Sequence, residues 1–333
     1  MTTARLDLAI ALSDNKRTRP IVDGLVGIQG ARLFTTVVHP SEMFWRQLKY
    51  ADFDVSEMSM SSLLIAASRG DFRWVAVPVF TSRMFFHTRI LVRADRGLDA
   101  PADLKGKRVA VPEYQQTSAI WSRGILQHEF GVDQRDIEWF MERTPDMSHG
   151  GSTGFVPPPG VRLNRIPSTT NIGEMLVKGE LDATLLYLTN TNLVDRSSID
   201  MDREPSVRPL FADAAAEGRR YYAKTGIYPI NHTVVMRREL YERHPWLALN
   251  IYAGMLNAKE RAAREARETL EPWLETGALG PGADAGLRAD PLAYGIKAAR
   301  PVLESIARFV HEQGLTDRLV GVDEVFAKST LDV

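Results

Sequence analysis

Cysteine is absent from this chain of 333 residues. Its absence excludes disulfide bonds, thiolate zinc sites, cysteine nucleophiles and a lipidated N-terminal cysteine. Long apolar runs are lacking too, since no stretch approaches the roughly 18 uncharged apolar residues of a membrane-spanning helix. The first twenty residues, MTTARLDLAIALSDNKRTRP, lack the basic leader and cleavage site of a signal peptide. Together these absences favour a cytoplasmic protein.

An excess of charge of one sign is also missing. The chain has 41 Lys and Arg against 42 Asp and Glu, a formal net charge of −1. No global field therefore attracts nucleic acid or an anionic membrane, and neither is an expected partner. The sequence contains no H-E-x-x-H, no P-loop and no G-x-G-x-x-G after a strand. We expect no cofactor and no metal, although a carboxylate–histidine site assembled across two lobes stays open.

One motif imitates a catalytic signature. HGGSTG, at His149–Gly154, fits the G-x-S-x-G pattern of a serine nucleophile elbow. That elbow requires a strand before it and a helix after it, and the flanking RTPDMS and FVPPPG favour neither. We interpret the segment as a flexible loop at the edge of a cleft.

Strand and helix patterns alternate along the first part of the chain, which predicts an α/β sheet with crossover helices. Ser41 is a plausible N-cap of the first long helix, and Met43, Phe44 and Leu48 form its apolar stripe. The predicted order is LDLAIAL, ARLFTTVV, PSEMFWRQLKYADF, FDVSEMS, SSLLIAASRGD and RWVAVPVF.

A second unit of the same kind follows Arg93, with strand KRVAVPEY and helix TSAIWSRGILQHEFG. LKYADFDVSEMS and LVKGELDATLLY share a pattern in which an Asp, Asp54 or Asp182, precedes a strand. This short echo suggests two similar lobes. The last third is largely helical and could support self-association into a homo-oligomer.

Five runs resemble, in order, the 4,5-dihydroxyphthalate decarboxylase family: FDVSEMSMSS, VAVPVFTSRMFFHT, RVAVPEYQQTSAIWSRGILQ, YYAKTGIYPINHTVVMRRELYERHPW, and DPLAYG followed by HEQGL. The resemblance implies the two-lobed α/β architecture of type II periplasmic binding proteins, with a ligand cleft between discontinuous lobes. Residues 1–96 plus 222–333 would form one lobe and residues 97–221 the other. The chain departs from the family pattern at Leu185–Asn192, where an Arg and a Pro are expected, and at Lys16.

The family's reaction is cofactor-independent decarboxylation of a hydroxylated aromatic carboxylate, with 4,5-dihydroxyphthalate giving protocatechuate. The resemblance therefore implies a carboxy-lyase of phthalate degradation whose partner is a small aromatic carboxylate. The alternative is a solute-binding protein for an aromatic or small organic acid, because one fold hosts many functions. A pyrimidine-synthesising relative of the same fold relies on a cysteine-rich motif, so the lack of Cys excludes it.

Decarboxylation of a ring requires a proton donor above the carbon that loses its carboxylate. His87, predicted on a strand between Arg83 and Arg89, and His232, which begins the return crossing, are the candidate donors; each could instead be structural. Glu113 could help to move the phenolic proton. The five remaining histidines are weaker candidates, including His39 and His149 in predicted loops.

Guanidinium groups and helix N-termini are the protein groups that bind carboxylates well. The candidate substrate-binding residues combine both kinds of group with one tyrosine, although exposed arginines and simple N-caps are the commoner roles. They are Arg17, Arg83, Arg123, Ser61, Ser62, Tyr114, Thr117 and Ser118.

Overall fold

The computed structural model describes residues 5–189 and 191–333 of the chain. Two sheets organise it. The strands are β1 (Leu6–Leu12), β2 (Ala31–Val37), β3 (Val55–Ser59), β4 (Trp74–Arg83), β5 (Leu91–Arg93), β6 (Arg108–Val111), β7 (Glu138–Met141), β8 (Arg162–Arg165), β9 (Ala183–Thr184), β10 (Val207–Pro209) and β11 (Ile230–Arg237).

The helices flank these sheets, and short 3-10 turns join several of them. They are α1 (Arg19–Val22), α2 (Pro40–Tyr50), α3 (Met60–Ser68), α4 (Thr117–Phe130), α5 (His149–Thr153), α6 (Ile172–Val177), α7 (Ala214–Thr225), α8 (Arg238–Arg243), α9 (Trp246–Glu275), α10 (Ala283–Arg288), α11 (Ile296–Glu312) and α12 (Val322–Val325).

The first sheet has five strands in the order β2-β1-β3-β11-β4, and the second has six in the order β10-β5-β9-β6-β7-β8. Strand β11 returns from the far end of the sequence and runs antiparallel between β3 and β4. The other strands of the first sheet are parallel, so the carboxyl ends of β1 to β4 meet at one edge. That is the edge at which open α/β sheets bind ligands.

The two aspartates of the sequence echo have the same role in the two sheets. The carboxylate of Asp54 accepts a hydrogen bond from the backbone N–H of Ala9, 2.9 Å away, and joins β3 to β1. The carboxylate of Asp182 accepts from the N–H of Arg108, also at 2.9 Å, and joins β9 to β6. The repeated pattern thus corresponds to a repeated strand connection.

The strand pairing places the first crossing between the lobes earlier in the chain than the sequence predicted. Strand β5, which the sequence assigned to the first lobe within residues 1–96, pairs with β9 and β10 of the second sheet. The first crossing between the sheets therefore lies between Arg83 and Leu91. The lobes also share a packed interior, because Trp121 on α4 donates to the carbonyl of Ile230 at 2.8 Å and packs against Phe309 on α11.

Three local predictions are wrong. Ser41 does not cap α2, because the helix begins at Pro40, a position that proline favours. His87 lies in a 3-10 turn and not on a strand, because the amide and hydroxyl of Thr88 both donate to the carbonyl of Phe85. His149–Thr153 forms the short helix α5 and not a loop, since Ser148 caps it by accepting from the N–H of Gly151.

Within the described part of the chain, no helix is both long enough and apolar enough to cross a membrane.

Candidate active site

Two adjoining cavities open at the carboxyl edge of the first sheet and between the lobes. The larger, about 580 Å³, is called here the cationic cavity and is lined by Ser13, Asp14, Asn15, Arg17, Val37, Val38, His39, Pro40, Thr81, Ser82, Arg83 and His232. The smaller, about 220 Å³, is called the aromatic cavity. It is lined by His39, Pro40, Ser41, Phe44, Ser59, Ser82, Met84, Phe86, Gln116, Thr117, Ser118, Arg143, His149, Leu186, Leu188, Asn231 and His232.

His232 lines both cavities and is paired with a buried carboxylate. Its Nδ1 lies 3.3 Å from Oε2 of Glu57, a side chain with no exposed surface. The Nδ1–H donates to this carboxylate, and Nε2 accepts from the side-chain amide of Asn231 at 2.8 Å. The ring of Phe44 packs edge-on against the imidazole, 4.7 Å between centroids. The carboxylate thus fixes the ring, and Nε2 is the nitrogen that can exchange a proton with a ligand once the cavity-lining amide of Asn231 turns away from it.

Glu57 is held in its charged form despite complete burial. Burial raises the pKa of its carboxyl, but the hydrogen bonds and charge of His232, with the hydroxyls of Ser13 and Thr81, outweigh it and lower the pKa below its ordinary value. The backbone N–H and the hydroxyl of Ser13 both donate to Oε1, at 2.7 and 2.6 Å. A buried, ionised carboxylate behind an imidazole stabilises the positive charge that the ring acquires on protonation.

Two guanidinium groups line the cationic cavity. Arg17 donates to the carbonyl of Thr81, and Arg83 donates to the carbonyls of Tyr228 and Ala293, at 3.3 and 2.8 Å. Burial is the main cause that lowers the pKa of Arg83 to about 10, which leaves it charged at neutral pH. No ion pair joins either side chain to a carboxylate within the described residues, so both charges are available to an anionic ligand.

The N-termini of α3 and α4 meet at the aromatic cavity. The Thr117 hydroxyl accepts from the backbone N–H of Ser61 at 2.9 Å and lies 2.8 Å from the Ser59 hydroxyl. The Ser61 hydroxyl donates to the carbonyl of Gln115 at 2.7 Å. The two lobes are therefore joined by hydroxyl hydrogen bonds at the place where both helices begin.

Arg143, on the far wall of the aromatic cavity, is buried and fully paired. Its Nη1 donates to Glu113 at 2.8 Å, its Nε to Asp195 at 2.7 Å, and its Nη2 to the hydroxyl of Ser41 on α2 at 2.6 Å. Burial raises the pKa of Asp195, but Arg143 outweighs this and holds it at about 2. Glu113 also accepts from the N–H groups of His149 and Gly150. The cluster ties α5 and α2 together behind the cavity.

The chain resembles one curated relative over nearly its whole length. It is 33% identical to the 4,5-dihydroxyphthalate decarboxylase of Comamonas testosteroni across 99% of this chain and 98% of that one. This chain belongs to the 4,5-dihydroxyphthalate decarboxylase family. The enzyme of the same name from Pseudomonas putida is 39% identical over 54% of this chain and 70% of its own length. The family predicted from the motifs is confirmed, and with it the carboxy-lyase class to which decarboxylases belong.

The predicted fold is confirmed as well. Residues 31–152 match the family described as "ABC transporter, phosphonate, periplasmic substrate-binding protein". The alkanesulfonate-binding protein SsuA from Xanthomonas axonopodis pv. citri, solved with MOPS bound, superposes with a TM-score of 0.56 at 14% identity, over 97% of this chain and 96% of that one. The desulfurization enzyme DSZB superposes with a TM-score of 0.52 at 14% identity, over 98% of both chains. The same fold thus hosts both binding proteins and an enzyme.

Of the site residues predicted from the sequence, five line the cavities: His232, Arg17, Arg83, Thr117 and Ser118. Ser61 lies directly behind them, bonded to Thr117, and Ser62, the next residue of α3, is also buried. Their roles toward a substrate stay predictions, but the structure brings this group together.

The other predicted residues lie outside both cavities. His87 is buried with Nε2 3.0 Å from Glu217 on α7, and burial is the main cause that lowers its pKa below the ordinary value. Arg123 is buried with its guanidinium 3.8 Å above the Tyr114 ring, and it donates at 2.8 Å to Gln313, the residue that follows α11. These contacts hold helices together.

The sequence analysis missed Glu57, which lies behind the cavities, and ranked two cavity-lining histidines low. Glu57 is the one charged residue of β3, and a single charge inside a predicted strand is a signal that the sequence offers. All five residues of this strand are buried. His39 and His149, ranked low as loop residues, line the cavities, yet burial is the main cause that lowers both of their pKa values. Among the described residues no cluster of three or more His, Asp or Glu side chains could hold a metal ion.

Proposed function

We propose that this chain is a cofactor-independent decarboxylase that converts 4,5-dihydroxyphthalate to protocatechuate and carbon dioxide. The observation that carries the proposal is the His232–Glu57 pair at the junction of the two cavities, next to the guanidinium groups of Arg17 and Arg83, which have no carboxylate partner among the described residues. Membership of the decarboxylase family supports the reaction type. A cytoplasmic location and self-association stay predictions from the sequence.

The order of bond changes follows from the instability of aryl carbanions. Direct loss of carbon dioxide would leave such an anion on the ring. Protonation of the ring carbon first, driven by electron donation from the hydroxyl para to it, avoids the carbanion. The site must therefore supply a proton at one ring carbon and hold the carboxylates still while it does so.

The residues at the junction of the cavities suit these tasks. His232, charged at Nε2 and stabilised by Glu57, donates the proton to the ring carbon. Arg17 and Arg83 hold the carboxylates in the cationic cavity, each through a guanidinium fork that matches a carboxylate. Binding energy at the neighbouring carboxylate helps to turn the reacting carboxylate out of the ring plane, where its bond to the ring breaks most easily.

Turnover by the purified chain tests this proposal directly. We expect metal-stripped protein to release carbon dioxide from 4,5-dihydroxyphthalate and to form protocatechuate, followed by chromatography. The fold relatives that bind sulfonates favour a second candidate, a binding protein for an aromatic acid. Tight binding of 4,5-dihydroxyphthalate and of a panel of hydroxybenzoates without turnover of any of them would support that candidate.

Removing one guanidinium group weakens the hold on the carboxylates. We expect Arg83→Gln to raise KM, and the Kd for unreactive phthalate measured by calorimetry, by about 10- to 100-fold, because a hydrogen bond between charged groups is lost. Arg89→Gln is the matched control, since Arg89 is exposed and lines neither cavity. Equal Kd values for the two variants would contradict the assignment of Arg83.

A further inference from the structure

One donor at the start of α4 has no partner. Gln116 is the N-cap residue of this helix of 14 residues, lines the aromatic cavity, and is only 6% exposed. Its side-chain Nε2 is buried and makes no hydrogen bond within the described part of the chain. Buried amide groups are normally paired, so an orphan donor on a cavity wall indicates a ligand atom.

The backbone adds donors at the same place. The first hydrogen bond of α4 runs from the N–H of Ile120 to the carbonyl of Gln116, at 3.1 Å. The N–H groups before Ile120 have no acceptor inside the helix, and the helix dipole makes this end favourable for negative charge. At α3, by contrast, the N–H of Ser61 is already bonded to Thr117. The N-terminus of α4 therefore offers backbone donors beside the aromatic cavity.

The two cavities differ in the kind of oxygen that they suit. The guanidinium groups of Arg17 and Arg83 lie in the cationic cavity. The aromatic cavity has apolar walls, including Phe44 and Leu188, and its one guanidinium, that of Arg143, is matched by two carboxylates. Carboxylates therefore fit the first cavity. The ring and an oxygen that is ionised only in part fit the second.

We propose that Gln116 and the N-terminus of α4 hold, as the phenolate, the ring hydroxyl para to the departing carboxylate. The proposal rests on the proposed function and deepens it. It fixes the orientation of the substrate, with carboxylates toward Arg83, phenolic oxygen toward α4, and the reacting carbon beside His232. A substrate of this site must therefore carry an ionisable hydroxyl para to the carboxylate that leaves.

These groups account for every bond that forms and breaks in the reaction. The phenol gives its proton to water, and the phenolate oxygen forms a carbon–oxygen double bond as a ring electron pair takes the proton from Nε2 of His232. The bond between the ring carbon and the carboxylate then breaks. Its electron pair restores the aromatic ring and the phenolate, and carbon dioxide leaves. Nε2 regains a proton from water, and the product phenolate takes back a proton from water as it leaves the site, so each turnover consumes one proton overall.

The ionisation of a bound phenol tests the proposal separately from turnover. The probe is protocatechuate, whose phenolate absorbs at longer wavelength than its phenol, titrated against pH by ultraviolet difference spectroscopy. In the unmodified protein we expect the bound phenol to ionise at lower pH than free protocatechuate. Gln116→Leu should raise the pKa of the bound phenol by about one to two pH units, and Gln116→Glu by more, because a carboxylate replaces the donor.

Gln115→Leu is the matched control. Gln115 is also a buried glutamine, but its amide bonds to Thr153 and it lines neither cavity, so the pKa of the bound phenol should not move. The proposal is overturned if bound protocatechuate ionises like the free compound, or if both Gln116 variants keep the unmodified pKa. A phenolate shift without any turnover would support this inference while contradicting the proposed function. Turnover of 4,5-dihydroxyphthalate, together with an unchanged pKa of the bound phenol in both Gln116 variants, would support the proposed function while contradicting this inference.

Discussion

Replacing His232 by Gln should lower kcat for 4,5-dihydroxyphthalate by about 10²- to 10⁴-fold, the usual contribution of a positioned general acid. The amide keeps a hydrogen-bonding group near Glu57 but has no nitrogen that can take up and release a proton near neutral pH. Because the guanidinium groups of the cationic cavity are untouched, the Kd for phthalate should change little. Single-turnover rates at saturating substrate, together with calorimetric titration of phthalate, separate the two effects.

His87→Gln is a closely matched control for this experiment. Both histidines are buried, both face a glutamate across about 3 Å, and both were candidate proton donors, but only His232 lines the cavities. We expect the His87 variant to keep its rate of chemistry, because His87 lines neither cavity and its contact with Glu217 joins the 3-10 turn to α7. If the His87 variant lost turnover and the His232 variant kept it, the assignment of the proton donor would be reversed.

Arg143→Met should lower the free energy of unfolding by about 3–5 kcal/mol, the cost of breaking a buried ion pair from one side. The substitution leaves Glu113 and Asp195 as buried carboxylates, exposed by about 1% and 2%, without the cation that neutralises both. It also removes the bond to Ser41 that joins α2 to the second sheet. Urea unfolding followed by far-ultraviolet circular dichroism measures the loss.

The compensated variant distinguishes uncompensated charge from lost packing. Adding Glu113→Gln and Asp195→Asn to Arg143→Met removes all three charges together, and we expect most of the lost stability to return, because neutral groups of the same shape are far easier to bury. A loss below about 0.5 kcal/mol in the single variant, the range of ordinary surface substitutions, would show that the charges are not buried in solution.

Hydrophobic pattern was enough to predict most elements, because their apolar faces are local properties. The stripe of Met43, Phe44 and Leu48 is buried as expected. The lengths and partners of very short strands had no such signal, although a strand after Asp182 was predicted. Strand β9 has two residues and β5 has three, and both exist because neighbouring strands present paired backbone groups to them.

The candidate site was predicted in part, and for a physical reason. His232, Arg17, Arg83, Thr117 and Ser118 stand at strand and helix ends, where chain direction alone brings side chains to one edge. The partners that define their chemistry come from distant segments. Glu57 on β3 contacts His232 on the neighbouring strand β11. Asp195 bonds to Arg143, more than fifty positions away in the chain. No periodicity or local motif predicts such contacts between residues that are distant in sequence.

The late position of β11 has a consequence for synthesis on the ribosome. Every strand of the second sheet lies between Leu91 and Pro209, so that lobe can complete its pairing while the chain is still being made. The first sheet must wait until Arg237 has emerged, since β11 fills the space between β3 and β4. Until then the inner edges of β3 and β4 are open templates for a foreign strand. The lobe that begins the chain is therefore the last to complete its sheet, and we expect the nascent chain to need protection from aggregation at β3 and β4.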